Sequence, residues 1–84
     1  DPFGSIRSRI DILDDEILTL LSERAWLVDA LMAAKDEMKL PRYDPTRERQ
    51  IVARLSATTS EEKIQHLVLK VWNALFRTMR GDFP

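Results

Sequence analysis

Between Phe3 and Met38 the apolar residues fall on two rows seven residues apart. One row carries Phe3, Ile10, Ile17, Leu31 and Met38, and the other Ile6, Leu13, Leu20, Leu27 and Ala34. Apolar positions at this spacing predict a helix, and no strand-like alternation competes with it. The first helix is expected over about residues 5–39, with Ser5 as a candidate cap and Pro41 as the stop. Asp44 is a good N-cap, and Pro45 suits the first helical position, where no backbone N–H is needed. A second helix is therefore expected over about 45–56, with Ile51, Val52 and Leu55 as its stripe and Glu48 on the same inner side. Thr59 and Glu62 have the spacing of a capping box at the head of a third helix, about 60–80. Its expected inner positions are Ile64, Leu67, Val68, Val71, Leu75 and Thr78, widened by Trp72, Phe76 and Met79. There is no internal repeat and no low-complexity stretch. The expected fold class is all-α, three helices per chain with one very long, in a single domain over residues 1–84.

The first helix is too long for such a domain. At about 1.5 Å per residue it reaches ~51 Å, whereas a compact chain of this length is roughly 30 Å across. The overshoot carries the apolar rows, so it needs a partner, and a closed twofold homodimer is the commonest solution.

Composition narrows the chemistry. The 84 residues carry a net charge of −1 with both signs interspersed, so no basic face points to nucleic acid. No apolar run approaches the ~18 residues of a membrane span. The opening Asp-Pro-Phe-Gly-Ser is not a signal peptide and lacks an initiator Met, which suits a processed or excised chain, and a cytoplasmic location is the default expectation. There is no cysteine and one histidine, His66, so neither a metal centre nor a credible nucleophile–base pair is expected. Two glycines cannot build a Gly-rich phosphate loop. Trp26 falls at an outer heptad position.

Cations mark the candidate chemistry. Arg24 occupies a place on the first apolar row, and Lys35, eleven residues on, lies within ~20° of it on the same helix face. Burying an unpaired charge costs several kcal/mol, so this face suits an arriving anion. Arg7 lies seventeen residues before Arg24, about 25 Å along the axis and ~100° around it. The two cannot grip one small molecule from the same helix, but Arg7 of one copy can meet Arg24 of another if the long helices run antiparallel. Asp44, Arg47 and Glu48 gather at the start of the second helix, whose free N–H groups and dipole also favour an anion. Each of these residues also has a structural reading: Arg7 as a solvated surface charge, Arg24 as a polar group that fixes register, Lys35 as a side chain snorkelling to water, Asp44 as a cap only, and Glu48 as an ion-pair partner of Arg47, Arg24 or Lys35.

The segments Ile6-Arg7-Ser8-Arg9-Ile10-Asp11, Leu13-Asp14, Ile17 to Arg24, Lys35, and Asp44-Pro45-Thr46-Arg47-Glu48-Arg49-Gln50 together resemble the all-helical, AroQ-type chorismate mutases. The resemblance runs over residues 6–55 without a gap. It implies an intertwined homodimer of three-helix chains with shared active sites, no cofactor, and conversion of chorismate to prephenate by a pericyclic [3,3] shift. It further implies that Arg7 of a second copy and Arg24 hold the substrate's carboxylates. Lys35 would meet a carboxylate and the ether oxygen, and Glu48 and the backbone at Asp44 the ring hydroxyl, with Arg47 nearby.

The C-terminal helix departs from this pattern. The family commonly carries a Ser there and, four residues later, a Gln that helps bind the ether oxygen. Aligned through Trp72 those places hold Met79 and Phe83, and one residue earlier Thr78 and Asp82, so neither register supplies the Gln. The Arg80-Gly81 tail resembles a subclass that is weakly active alone and boosted by complexing a DAHP synthase, which implies such a synthase as partner. Two alternatives stay open: a mutase or lyase for a chorismate analogue (4-amino-4-deoxychorismate or isochorismate), and a non-catalytic helical dimerisation or regulatory module.

Overall fold

A computed structural model describes residues 1–82. It contains three helices, α1 (Pro2–Glu37), α2 (Pro45–Ala57) and α3 (Glu62–Met79), and no strand among the described residues. None of the helices is long and apolar enough to cross a membrane. The chain divides into two compact units, Asp1–Leu31 and Met32–Pro84.

In the first unit α1 begins at Pro2, ahead of the expected Ser5. The reason is Asp1, whose carboxylate accepts the N–H of Phe3 at 3.0 Å and so acts as the cap, with Pro2 at the first helical position. Ser5 instead donates its backbone N–H to the carbonyl of Asp1. Thr19 and Ser22 return their hydroxyls to the carbonyls of Asp15 and Leu18, one turn back, which satisfies them without leaving the helix. The seam rows are exposed along their length, from Phe3 at 70% to Leu20 at 63% and Leu27 at 65%. Leu21, Arg24, Ala25 and Val28 are half-buried.

The second unit opens with the end of α1. The helix stops at Glu37, two residues short of the expected 39, and Pro41 is not what stops it. Lys39 takes a left-handed conformation (φ 57°), its N–H bonds to the carbonyl of Asp36 at 3.1 Å, and the N–H of Leu40 bonds to that of Lys35 at 2.8 Å. These two bonds form a Schellman motif with lysine in glycine's usual place.

Asp44 and Pro45 begin α2 as their chemistry predicts, the Asp44 carboxylate accepting the N–H of Arg47 at 3.0 Å. The expected Thr59–Glu62 capping box does not form. Helix α3 starts at Glu62 with Glu61 at the cap position and no side-chain bond there. Thr59 Oγ1 accepts the N–H of Glu61 instead, and the Gln65 amide donates to the carbonyls of Ser56 and Thr59, tying the α2–α3 turn to α3.

Helix α2 packs on α3. The half-buried positions are Pro45, Glu48, Ile51, Val52, Leu55 and Ser56 on α2, and Gln65, Val68, Trp72, Leu75 and Met79 on α3. Phe76, at 8% exposure, is the one buried residue among those described. The predicted α3 stripe is therefore split: Ile64, Leu67, Val71 and Thr78 remain exposed. A single 13-residue helix covers one side of α3 and leaves the second side of a wide stripe open. Helix α3 ends in a second Schellman motif, with Gly81 (φ 78°) at the left-handed position, its N–H bonded to the Thr78 carbonyl and that of Asp82 to the Arg77 carbonyl.

Candidate active site

The last turns of α1 carry Lys35, which is half-buried. Its Nζ donates to the carbonyl of Arg42 across 3.5 Å, a long contact that a better acceptor would displace. Lys35 lines a recess of about 350 Å³ with Leu40, Pro41, Tyr43, Asp44 and Pro45. The segment leading to α2 is tied back to α1 by Arg42, whose Nε donates to Asp36 Oδ1 at 2.9 Å while Nη2 meets Oδ2. This two-pronged pairing fixes orientation as well as distance. The hydrogen bond and charge of Arg42 hold the Asp36 carboxyl below the usual carboxylate range, against a smaller opposing effect of lost hydration.

At the head of α2 the Asp44 side chain is occupied as the helix cap, and its carbonyl accepts the N–H of Glu48 at 3.1 Å. Arg47 is exposed. Glu48, one turn into α2, pairs with Arg80 at the end of α3 through Oε2 and Nη1. The guanidinium of Arg80 also lies over the Tyr43 ring, 4.6 Å from its centre, and 4.0 Å from a carboxylate oxygen of Asp82. Both members of the central pair are largely covered, with side-chain exposures of 22% for Arg80 and 24% for Glu48. Beside them lies a cleft of about 300 Å³ whose walls include Tyr43, Glu48, Val52, Leu69, Asn73 and Phe76.

The second unit thus brings several predicted residues into one neighbourhood: Lys35 and Asp44 on one recess, Glu48 on an adjoining cleft, with Tyr43 bordering both. In the first unit Arg7 is exposed and Arg24 half-buried, and their seventeen-residue separation on one continuous helix keeps them about 25 Å apart. At the C-terminal end Thr78 is exposed, Met79 half-buried, and Asp82 exposed beside Arg80. Phe83 lies outside the described residues. No group of three or more metal-ligating side chains occurs among the described residues. Sequence reasoning passed over Arg80 as part of a short tail, and over Tyr43 altogether. The available signals were Gly81, which fixes the turn that presents Arg80, and the place of Tyr43 immediately before an N-cap.

The family model described as chorismate mutase type II matches residues 6–81. A chorismate mutase of Methanocaldococcus jannaschii is 29% identical over 76 residues, which is 89% of this chain and 77% of that protein. A bifunctional chorismate mutase/prephenate dehydratase of Aquifex aeolicus is 38% identical over 71 residues, 84% of this chain but 17% of that much longer protein. Among solved structures, the chorismate mutase of Thermus thermophilus superposes in two forms. Form I does so with a TM-score of 0.77 at 34% identity, covering 89% of this chain and 99% of that one. Form II gives 0.79 at 32%, covering 95% and 96%. The match runs through α1, α2 and α3 alike and takes in Arg7, Arg24, Lys35, Asp44, Arg47 and Glu48, so the chain belongs to the type II chorismate mutases.

Proposed function

We propose that this protein rearranges chorismate to prephenate, in active sites each completed by a second copy of the chain. The observation that carries this reading is the family match over residues 6–81, which includes every candidate site residue from Arg7 to Met79. It also crosses from one compact unit to the other, as α1 itself does, which supports reading both as one functional domain.

The reaction is unimolecular. One carbon–oxygen bond of the ether bridge breaks as a carbon–carbon bond forms, with no proton, electron or group exchanged with the protein. The protein's task is to hold a dicarboxylate in its reactive shape and to answer the charge that develops at the ether oxygen. In the proposed site Arg24 and the second copy's Arg7 hold the carboxylates by two-pronged hydrogen bonds, which select the compact conformer. Lys35 exchanges its long contact with the Arg42 carbonyl for the ether oxygen and a carboxylate. A fixed cation there stabilises the transition state more than the ground state. Glu48 and the backbone at Asp44 receive the ring hydroxyl, and the exposed Arg47 stands beside them. A million-fold acceleration needs about 8 kcal/mol. One positioned donor contributes ~3–4 kcal/mol and orientation several more, so no covalent chemistry is required.

The homodimer is supported by the exposed seam of α1, which leaves large apolar side chains from Phe3 to Met38 uncovered in the single chain. The exposed Ile64, Leu67 and Val71 of α3 add a second apolar strip. A DAHP synthase that binds near the Arg80-Gly81 tail is part of the same proposal.

The purified chain should consume chorismate and yield prephenate, followed by the loss of chorismate absorbance. Lys35→Ala should lower kcat/KM by about 10²–10³-fold and Arg24→Ala comparably, with the sedimentation coefficient unchanged. No turnover by the wild-type chain, alone or with a DAHP synthase, would refute the reading.

A further inference from the structure

The chemistry at the ring position of the substrate turns on how Glu48 is held. A lone carboxylate accepts a hydrogen bond from a hydroxyl, but it attracts an ammonium in the same place more strongly, because the second contact is an ion pair. Glu48 is not alone. Its Oε2 is engaged by Arg80, while a carboxylate retains capacity for further donors. Any group that meets Glu48 therefore also meets the field of the guanidinium bonded to it.

Arg80 is built to stay there. Its backbone caps the C-terminal end of α3, where its own N–H bonds to the Phe76 carbonyl at 3.1 Å and the Gly81 and Asp82 N–H groups close the Schellman motif behind it. Its side chain is largely covered and has three partners on three different elements. These are Glu48 on α2, the Tyr43 ring in the segment before α2, and Asp82 just past α3. An arginine stacked on an aromatic face and bonded through one guanidinium nitrogen to a carboxylate loses less by being ordered than a free side chain would, and a lysine does not reproduce both contacts.

We propose that Arg80, seated on Tyr43, positions Glu48 and makes this site select a neutral hydroxyl over an ammonium on the substrate ring. The inference rests on the chorismate mutase reading and goes beyond it by naming what sets substrate choice. A hydroxyl donates to Glu48 without opposing Arg80. An ammonium gains Glu48 but also meets the like charge of the guanidinium bonded to the same carboxylate, and both side chains of that pair are largely covered. Removing the Arg80 charge leaves Glu48 as a bare anion and moves the preference toward the ammonium.

The test compares kcat/KM for chorismate with that for 4-amino-4-deoxychorismate, using the full chain. The wild type is expected to favour chorismate. Arg80→Met, which keeps an unbranched stem but is shorter and carries no charge, is expected to shift the ratio toward the amine by on the order of tenfold or more. Arg80→Lys keeps the charge without the planar guanidinium that lies over Tyr43, and is expected to keep the hydroxyl preference while losing part of kcat. The ratio is internal to each variant, so a smaller folded fraction lowers both terms alike and leaves it unmoved. A wild type that turns over chorismate, with an Arg80→Met ratio unchanged within about twofold, would overturn the inference and leave the mutase reading intact, as would a wild type that prefers the amine. If Arg80→Met is inactive on both substrates, recovery of activity and of the hydroxyl preference by Arg80→Lys supports the proposal, and an Arg80→Lys protein that does not recover them overturns it. A wild type inactive on both substrates, alone and with a DAHP synthase, would remove the mutase reading and this inference with it.

Discussion

Leu20 offers a direct test of the paired long helices. It lies on the second apolar row of α1 and is 63% exposed in the single chain. Fully burying a leucine side chain is worth about 1.5–3 kcal/mol, so covering the exposed part contributes ~1–2 kcal/mol per chain. In a twofold dimer the residue occurs twice, and Leu20→Glu removes ~2–4 kcal/mol of association energy from lost burial alone. It also places a carboxylate where its hydration is stripped, at several kcal/mol per ion. A total of at least ~6 kcal/mol weakens dimerisation by at least roughly 10⁴-fold, enough to turn a nanomolar dimer into one that dissociates at tens of micromolar or above. Sedimentation equilibrium over that concentration range reads the change. Trp26→Glu is the matched control: Trp26 is 80% exposed but sits at an outer position of the same helix, so the dimer should persist. A wild-type chain that is monomeric throughout the range, or a Leu20→Glu chain that associates as the wild type does, would refute the pairing of α1 through this seam.

Two further outcomes follow from the loop and helix ends. Lys39 and Gly81 occupy equivalent left-handed positions in the two Schellman motifs, and nothing lies within 4 Å of a Cβ built on Gly81. Gly81→Ala should therefore destabilise by the backbone cost alone, about 1–2 kcal/mol, whereas Lys39→Gly relieves that same cost, offset in part by the freer unfolded chain, for a net stabilisation of about 0.5–1 kcal/mol. Thermal unfolding at fixed protein concentration checks both, and shifts of the same sign would contradict the assignment. The Asp36–Arg42 pair governs a pH effect. Because Arg42 lowers the folded-state pKa of Asp36, the pair's contribution is present above the ordinary aspartate pKa and is lost as pH falls through the lowered one. In Arg42→Gln the Asp36 carboxyl should titrate at a higher pH than in wild type, as read by carboxyl-carbon NMR, and an unmoved titration would rule out the pairing in solution.

What could be read from the chain, and what could not, divides along a physical line. The period of α1 belongs to one helix, and so do the shared face of Arg24 and Lys35 and the cap-and-proline start of α2. Each is set by residues within a few turns of one another, so the order of residues suffices. The helix ends were less legible because several local solutions compete. Asp1 outdid Ser5 as a cap, Lys39 took the left-handed turn before Pro41 could act, and Thr59 bonded the N–H of Glu61 rather than boxing with Glu62. On α3 a wide stripe announced burial but not by what. Val68, Trp72, Leu75, Phe76 and Met79 are at least half covered, whereas Ile64, Leu67 and Val71 are left open. No periodicity distinguishes a face met by the chain's own α2 from one that awaits a second copy. The same limit hid Arg80. Its partner Glu48 is thirty-two residues away on another helix, and its platform Tyr43 lies in the connecting segment. A contact of that kind exists only once α2 and α3 are packed. The sequence offers Glu48 either a substrate hydroxyl or an ion pair with Arg47, Arg24 or Lys35, and only the fold reveals Arg80 as the cation that balances it. That balance changes the question from whether the site can bind a ring substituent to which charge on that substituent it will tolerate.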